Sequence, residues 1–371
     1  MKHSVTKAVL AALAAGFTSV TTAYGQVSCG AVVTTNEVMT NDLACIFNSP
    51  AFTIDGGSVD MNGHRVGCLP GQNGVVLINS GGKLKNGFVE GCDDGVILAG
   101  SGKHSVTNVM VRGGGDRGFV VLSPKNKLVR NTALGNGGIG FLIASAVQPM
   151  ADILTGNVAA NNGDAGFHLT GDGSKLSGNL ASANGEEGFY LDGDATKFTR
   201  NTAYDNGNIG FSMIGVGNSL SQNTAIGNDS WGFAPYGSEG KVKNNLSVDN
   251  NGLGFGSSNG ANAYSGNMSA FNAEEGYVVF GDGTSISKSA AIGNGGDGIL
   301  VGLAQDDMVL KNNRVIANGD LGINLQSHTT VITGNFAIDN TNDDADDLDP
   351  MCATNTWKKN TFHSTADACI E

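Results

Sequence analysis

GNLASANGEEGFYLDGDATKFTRNTAYDNGNIGF, residues 178–211, states one pattern twice. Asn179, Asn184 and Phe189 return as Asn201, Asn206 and Phe211, each 22 residues later. Aligned on the first Asn, the pattern begins at positions 62, 86, 108, 131, 157, 179, 201, 223, 245, 267, 289 (a Ser), 313 and 335. A fixed period over most of a chain marks a solenoid. The units carry too few Leu for leucine-rich repeats, and GGDGIL (295–300) stands alone where a calcium β-roll needs a nine-residue repeat. Three short apolar or alternating segments per unit, such as KFT, TAY and GFYL, separated by Gly-bearing or polar residues, predict three strands and three turns. The fold class is therefore all-β, a single-stranded right-handed parallel β-helix of about 13 coils.

Stacking at ~4.8 Å per coil gives a rod of ~60 Å and places each repeated residue on its own copy. The Asn column then forms an amide ladder, and Asn also suits left-handed turn positions. Phe141, Phe167, Phe189, Phe211, Phe233, Phe255 and Tyr277 form an inner aromatic stack. The Ala column (Ala133, Ala159, Ala181, Ala203, Ala225) is expected to be small because Phe fills the opposite wall. Both columns read as structure, not as sites.

Composition agrees. Gly is 57 of 371 residues, which suits a chain of tight turns, and charged residues are 15%, too few for disorder. Lys2 and Lys7 followed by a largely apolar run of 13 from Ala8 to Val20, and by Ala23-Tyr24-Gly25, predict a secretory leader over 1–25 and a mature start near Gln26. The expected organisation is leader 1–25, N-terminal cap 26–61, β-helix 62–342, and an acidic segment with a disulfide cap over 343–371. No stretch reaches 18 apolar residues, so no membrane span is expected. The net charge of −13 argues against a nucleic-acid partner. Six Cys and no CxxC pair suggest disulfides in a secreted or periplasmic protein. Cys68 and Cys92 each lie six residues after their repeat Asn, in adjacent coils, which predicts a bridge between rungs.

CGAVVTTNEVMTNDLAC (29–45), VDMNGHRV (59–66) and CATNTWKKNTFHSTADAC (352–369) add a second signal. With the period, they resemble the entry coil and closing segment of secreted β-helix proteins of the pectate-lyase-like superfamily, in its NosD-like repeat group. The resemblance covers nearly the whole chain after residue 25. It implies cap disulfides Cys29–Cys45 and Cys352–Cys369. It also implies a polysaccharide partner, extracellular or in the cell wall, met by a lyase, an epimerase or a non-catalytic adhesin. The superfamily's hydrolase signatures are missing. The DPHD motif of alginate epimerases is also absent, since DLDP at 347–350 lacks the His.

Charge is distributed unevenly for so acidic a chain. The strand before each repeat Asn, in segments filling barely a quarter of the sequence, holds 13 of the 21 Lys and Arg. Lys127, Lys175, Lys197 and Lys241 fall four positions before their Asn, in one column. Asp172 and Asp194 stack in the turn that enters this strand, and both large insertions (144–152 and 303–308) fall there too. The expected function is engagement of an anionic polysaccharide along this basic flank, with Lys127, Lys241, Tyr190 and Tyr236 binding substrate. In the enzymatic version, lyase or epimerase chemistry on a uronate polymer assigns Lys175, Lys197 and Arg200 to the acid–base role, and Asp172 and Asp194 to a Ca²⁺ ion that neutralises the carboxylate.

Overall fold

A strand of three or four residues satisfies its amides only if its copies stack on it. In the computed structural model, which describes residues 26–144, 149–303 and 305–370, each coil contributes three such strands. We call the faces they build A, B and C. In the coil quoted above they are Phe189–Asp192, Lys197–Thr199 and Thr202–Tyr204. Face A is one parallel sheet of 15 strands, from Val32–Val33 to Ala345–Asp347. The two rungs beyond the expected 13, Val32–Val33 and Phe52–Asp55, both lie in 26–61. The closing segment also pairs, with Thr356–Lys358 on Val331–Thr333. Disulfides join Cys29 to Cys45, Cys68 to Cys92 and Cys352 to Cys369, and the second spans neighbouring rungs with Cα atoms 4.8 Å apart. The leader expected over 1–25 lies outside the described residues. Among the described residues the only helix is a 3₁₀ turn, Pro350–Cys352, and no helix is long and apolar enough to cross a membrane.

Two buried asparagine ladders hold the coils together. Asn201 Oδ1 accepts from both the backbone N–H and the side-chain amide of Asn179, each at 2.9 Å, while Asn179 Nδ2 also donates to Leu154 O. The pattern repeats from Asn131 towards the C-terminus, with Ser289 substituting once. A second ladder runs through Asn184, Asn206, Asn228 and Asn250. Every amide thereby serves a turn whose backbone groups no strand can reach.

The first coils differ in register. Asn108 aligns with Arg130, not Asn131, because Val109 pairs with Gly87 and donates its N–H to Asn131 Oδ1. Asn62, Asn86 and Asn108 occupy left-handed positions (φ 49°, 59° and 55°). From Asn131 onwards the left-handed residue is the one before the ladder Asn, for example Arg130, Arg200 or Gln222. Asn thus fills both adjacent roles at one corner, and an alignment on Asn alone slips by one residue between them.

The aromatic stack begins one coil earlier than expected, at Phe119. Successive rings to Tyr277 lie 4.6–4.9 Å apart and within 7° of parallel. The rung spacing imposes this face-to-face geometry. The alanine column also meets the backbone of the neighbouring wall. A β-carbon on Gly188 would stand 2.8 Å from Ala203 Cβ, so glycine and alanine together let two walls meet.

A third inner column at the turn from A to B runs through Asn126, Asp152, Ser174, Thr196 and Asn218. Asp152 is solvent-inaccessible. Its Oδ1 accepts from Asn126 N at 2.5 Å, while its Oδ2 finds no hydrogen-bond partner among the described residues. Burial pushes its pKa up to about 7.

Two consequences are measurable. Asn201→Ala removes the acceptor of two buried Asn179 donors and should lower unfolding free energy by about 3 kcal/mol, whereas exposed Asn251→Ala should cost under about 0.5 kcal/mol. Denaturant titration of the two variants checks this. A carboxyl whose folded pKa is raised loses stability as pH climbs from its unfolded value towards about 7. Asp152→Asn should therefore raise the melting temperature at pH 8 and leave it nearly unchanged at pH 4; equal gains at both pH values would refute ionisation as the cause.

Candidate functional site

Face B carries the basic column in the order Lys83, Ser105, Lys127, Ile153, Lys175, Lys197, Ser219, Lys241, Ala263. Only Lys175 and Lys197 are immediate neighbours, because Ile153 and Ser219 interrupt the rest. Among the described residues none of Lys127, Lys175, Lys197 and Lys241 makes an ion pair, in contrast to Lys85, which meets Asp60 at 3.0 Å. Thr155, Ser177, Thr199 and Ser221 form the parallel hydroxyl column two residues on. Arg200 is not in the strand. It sits at the left-handed corner between B and C and donates from Nε to Gln222 Oε1 at 3.1 Å.

Asp172 and Asp194 occupy the corner between A and B. Asp172 Oδ1 accepts from Asp194 N at 2.8 Å, and Asp194 Oδ1 from Val216 N at 2.6 Å. Each carboxylate thus braces the next turn. No group of three or more His, Cys, Asp or Glu able to hold a metal occurs among the described residues. One oxygen of each carboxylate is thus committed to a backbone N–H, and a Ca²⁺ site needs six or more oxygens, so no catalytic step is routed through one here.

Tyr190 and Tyr236 lie elsewhere. Phe189 of face A meets Phe198 of face B edge to face across the core, centroids 6.1 Å apart. The outward residues Tyr190 and Lys197 therefore point from opposed sheets. The structure separates the tyrosines from the lysines they were expected to assist.

Face A gathers a different set. The residue after each stacked Phe points outward, giving the column Leu142, His168, Tyr190, Ser212, Ala234 and, one rung on, Gly256. Its middle shrinks from large side chains to Ser, Ala and Gly; Ser212 and Ala234 are buried, so the depression there, called the trough below, is covered by the side chains beside it. His168 and Tyr190 stack at one end, rings 4.7 Å apart and tilted by 56°. Trp231 and Tyr236 stand at the other, centroids 5.8 Å apart. The indole of Trp231 lies over two glycines: a β-carbon at Gly256 would stand 2.7 Å from its Cζ3, and one at Gly252 2.6 Å from its Cδ1. Between the pairs sits Glu187, which accepts from Asn208 Nδ2 at 3.0 Å.

Burial shifts the titrating groups of this face towards their neutral forms. Burial raises the Glu187 pKa, and Glu186 and Asp164 add repulsion. Burial holds His168 below the usual imidazole value, against the pull of Asp164 and Asp192. Burial raises both tyrosine hydroxyls, with Asp192 and Glu187 contributing at Tyr190 and Glu187 at Tyr236. The trough thus combines aromatic platforms with groups able to exchange a proton. His168, Glu187 and Trp231 escaped the reading of the sequence. The available signal was alternation: in each GFXL-type strand, the X position faces outward.

A rod of three-stranded coils with an internal asparagine ladder and an outward trough is a right-handed parallel β-helix. The chain belongs to that family: the model described as "Right handed beta helix region" matches residues 27–180 and 74–247. No curated protein sequence matches it. Among solved structures it is similar to the periplasmic alginate epimerase AlgG, at 12% identity over 90% of this chain and 78% of that one, TM-score 0.43. It is also similar to the A-module of the Azotobacter vinelandii mannuronan C-5 epimerase AlgE4, at 14% identity over 96% and 89%, TM-score 0.37. The catalytic domain of a GH87 alpha-1,3-glucanase in complex with nigerose is similar at 13% identity over 84% and 68%, TM-score 0.44. At such identities the likeness concerns the fold alone.

The seat of Trp231 can be tested directly. Gly256→Ala should displace the indole into solvent and shift tryptophan emission to longer wavelength, with far-ultraviolet circular dichroism unchanged. The chain's other tryptophan, Trp357, is 6% exposed and should report no change.

Proposed function

We propose that this is an exported polysaccharide-engaging β-helix that seats sugar rings in the face A trough. The observation that carries the reading is the indole of Trp231 laid over Gly252 and Gly256 beside Tyr236, two rungs from the His168–Tyr190 pair. Two rungs are ~10 Å, so one extended glycan running along the rod meets both aromatic pairs. Planar rings offer apolar area to a sugar face, and hydroxyl, imidazole and amide groups beside them fix its orientation. The three disulfides support an oxidising compartment, secreted or periplasmic.

The finer proposal is that the polymer is anionic. Lys175 and Lys197, exposed and unpaired among the described residues, with Lys127 and Lys241 in the same column, attract such a chain to the rod. A second reading, a lyase or epimerase of uronate polymers, draws on His168 beside Tyr190 and Glu187. There a neutral base takes the proton α to the uronate carboxyl. Elimination then breaks the C4–O bond and leaves a C4=C5 double bond, whereas return of the proton to the opposite face inverts C5.

Affinity electrophoresis against alginate, pectate and a neutral glucan discriminates these readings. Trp231→Ala with Tyr236→Ala should abolish retention with folding intact. Lys175→Gln with Lys197→Gln should weaken retention only on the acidic polymers, and less so at high salt. Unchanged retention in the aromatic double variant would sink the trough. Ultraviolet-absorbing products that vanish in His168→Ala would establish the lyase.

A further inference from the structure

Face C turns an uncharged side to solvent over eight successive coils. From the strand Thr132–Leu134 to the strand Ala290–Ile292, its outward positions hold Thr, Val, Leu, Ile, Met, Ala, Ser and one Tyr, and no Asp, Glu, Lys or Arg. Leu180, Ile226, Leu246 and Val248 are half-buried here, while Tyr204 and Met268 are 50% and 38% exposed. Phe271, at the corner beside them, is 60% exposed. Eight rungs make a strip ~38 Å long; strand and corner residues together make it ~16 Å wide, or ~600 Å² in projection, charged corners included. A strip of uncharged strand residues on a flat sheet, with Leu, Ile, Val and Met among them, is a surface of the kind partners use. It also approaches the ~800 Å² that each partner contributes to a standard interface.

The borders of the strip carry opposite charge. On the B side the left-handed corners present exposed Arg130, Arg200 and Lys288. On the A side the equivalent corners present exposed Asp205 and Asp249. Such a surface is complementary to itself under one operation. A two-fold axis parallel to the rod lays the basic border of one molecule along the acidic border of the other. In coil-against-coil register the pair brought together is Arg200 with Asp205, which flank the same coil, while Arg130, Lys288 and Asp249 face the uncharged corners Gly135, Gly293 and Asn244. A two-fold axis across the rod would set like charges together. A polymer or lipid surface has no reason to match two borders of opposite sign.

We propose that face C is a dimer interface, in which two copies of this chain pack side by side with their rods parallel, sealed by Leu180, Ile226, Leu246 and Val248 and registered by Arg200 against the Asp205 of the second copy. Closed two-fold pairing is the commonest way to bury a single patch of this kind. The surface is separate from the face A trough and leaves it open on both molecules.

The test is sedimentation equilibrium of the purified full chain across the micromolar range. The expected result is a monomer–dimer equilibrium. Leu180→Lys with Leu246→Lys should give monomer, while the melting temperature, extrapolated to low protein concentration, stays unchanged because both side chains are outward. Arg200→Asp should weaken dimerisation about tenfold, since the two-fold axis repeats the contact, and adding Asp205→Arg should restore it. A wild-type chain that stays monomeric throughout would overturn the proposal. So would a dimer indifferent to the two lysines. A charge swap that fails to rescue would exclude the parallel arrangement.

Discussion

The structure depends on one constraint: each turn must find partners for backbone groups that no strand can reach. At the sharp corner between faces B and C, the carbonyls and amides point inward, into a core too narrow for water. A buried asparagine answers this because its side chain is both donor and acceptor. Asn201 receives two hydrogens from Asn179 and passes two to Asn223, so the ladder satisfies itself along the rod. Coil length follows from the ladder. The chain must return to the same corner in register, which is why consecutive coils hold to 22 residues and why longer coils place their surplus in corners: between A and B for the insertions at 144–152 and 303–308, and between C and A for 68–74.

Stacking in register also governs the surface. Because every outward residue sits on its copy, composition along a column decides what each flank can do. Face B spaces cations and hydroxyls, face C stays uncharged over its eight middle coils, and face A is irregular. That irregularity is informative. Nothing in the ladder asks for a histidine, a tyrosine, a serine, an alanine and a glycine in succession, nor for an indole laid over two glycines. The core repeats because packing requires it, whereas face A departs from repetition where packing makes no such demand.

Electrostatics sharpens the contrast between flanks. On face B the lysines are exposed and act through long-range attraction, weakly and subject to salt. On face A, partial burial lowers the pKa of His168 and raises that of Glu187, so the same surface that offers apolar rings also carries groups able to exchange a proton. A polymer drawn to the rod by one flank and recognised by the other would use both properties, yet only the second discriminates among sugars.

The sequence by itself determined the architecture. Period, Asn ladder, Phe stack and the Cys68–Cys92 bridge were legible, because in a solenoid contact order reduces to one number: each residue meets its copy one coil on. The two cap disulfides came from the family resemblance alone. What lay between the faces was not legible. Tyr190 and Lys197 are seven residues apart and were read as one site, but Phe189 and Phe198 pack against each other inside and send them to opposed sides. Asn108 looked like Asn131 in sequence, yet the corner offers two adjacent places for asparagine and only strand pairing tells them apart. Trp231 gave no signal, because its platform is made by glycines 21 and 25 residues later. A repeat fixes translation along the rod. The angle at which each side chain leaves it is set by how three walls close around the core, and that closure exists only in three dimensions.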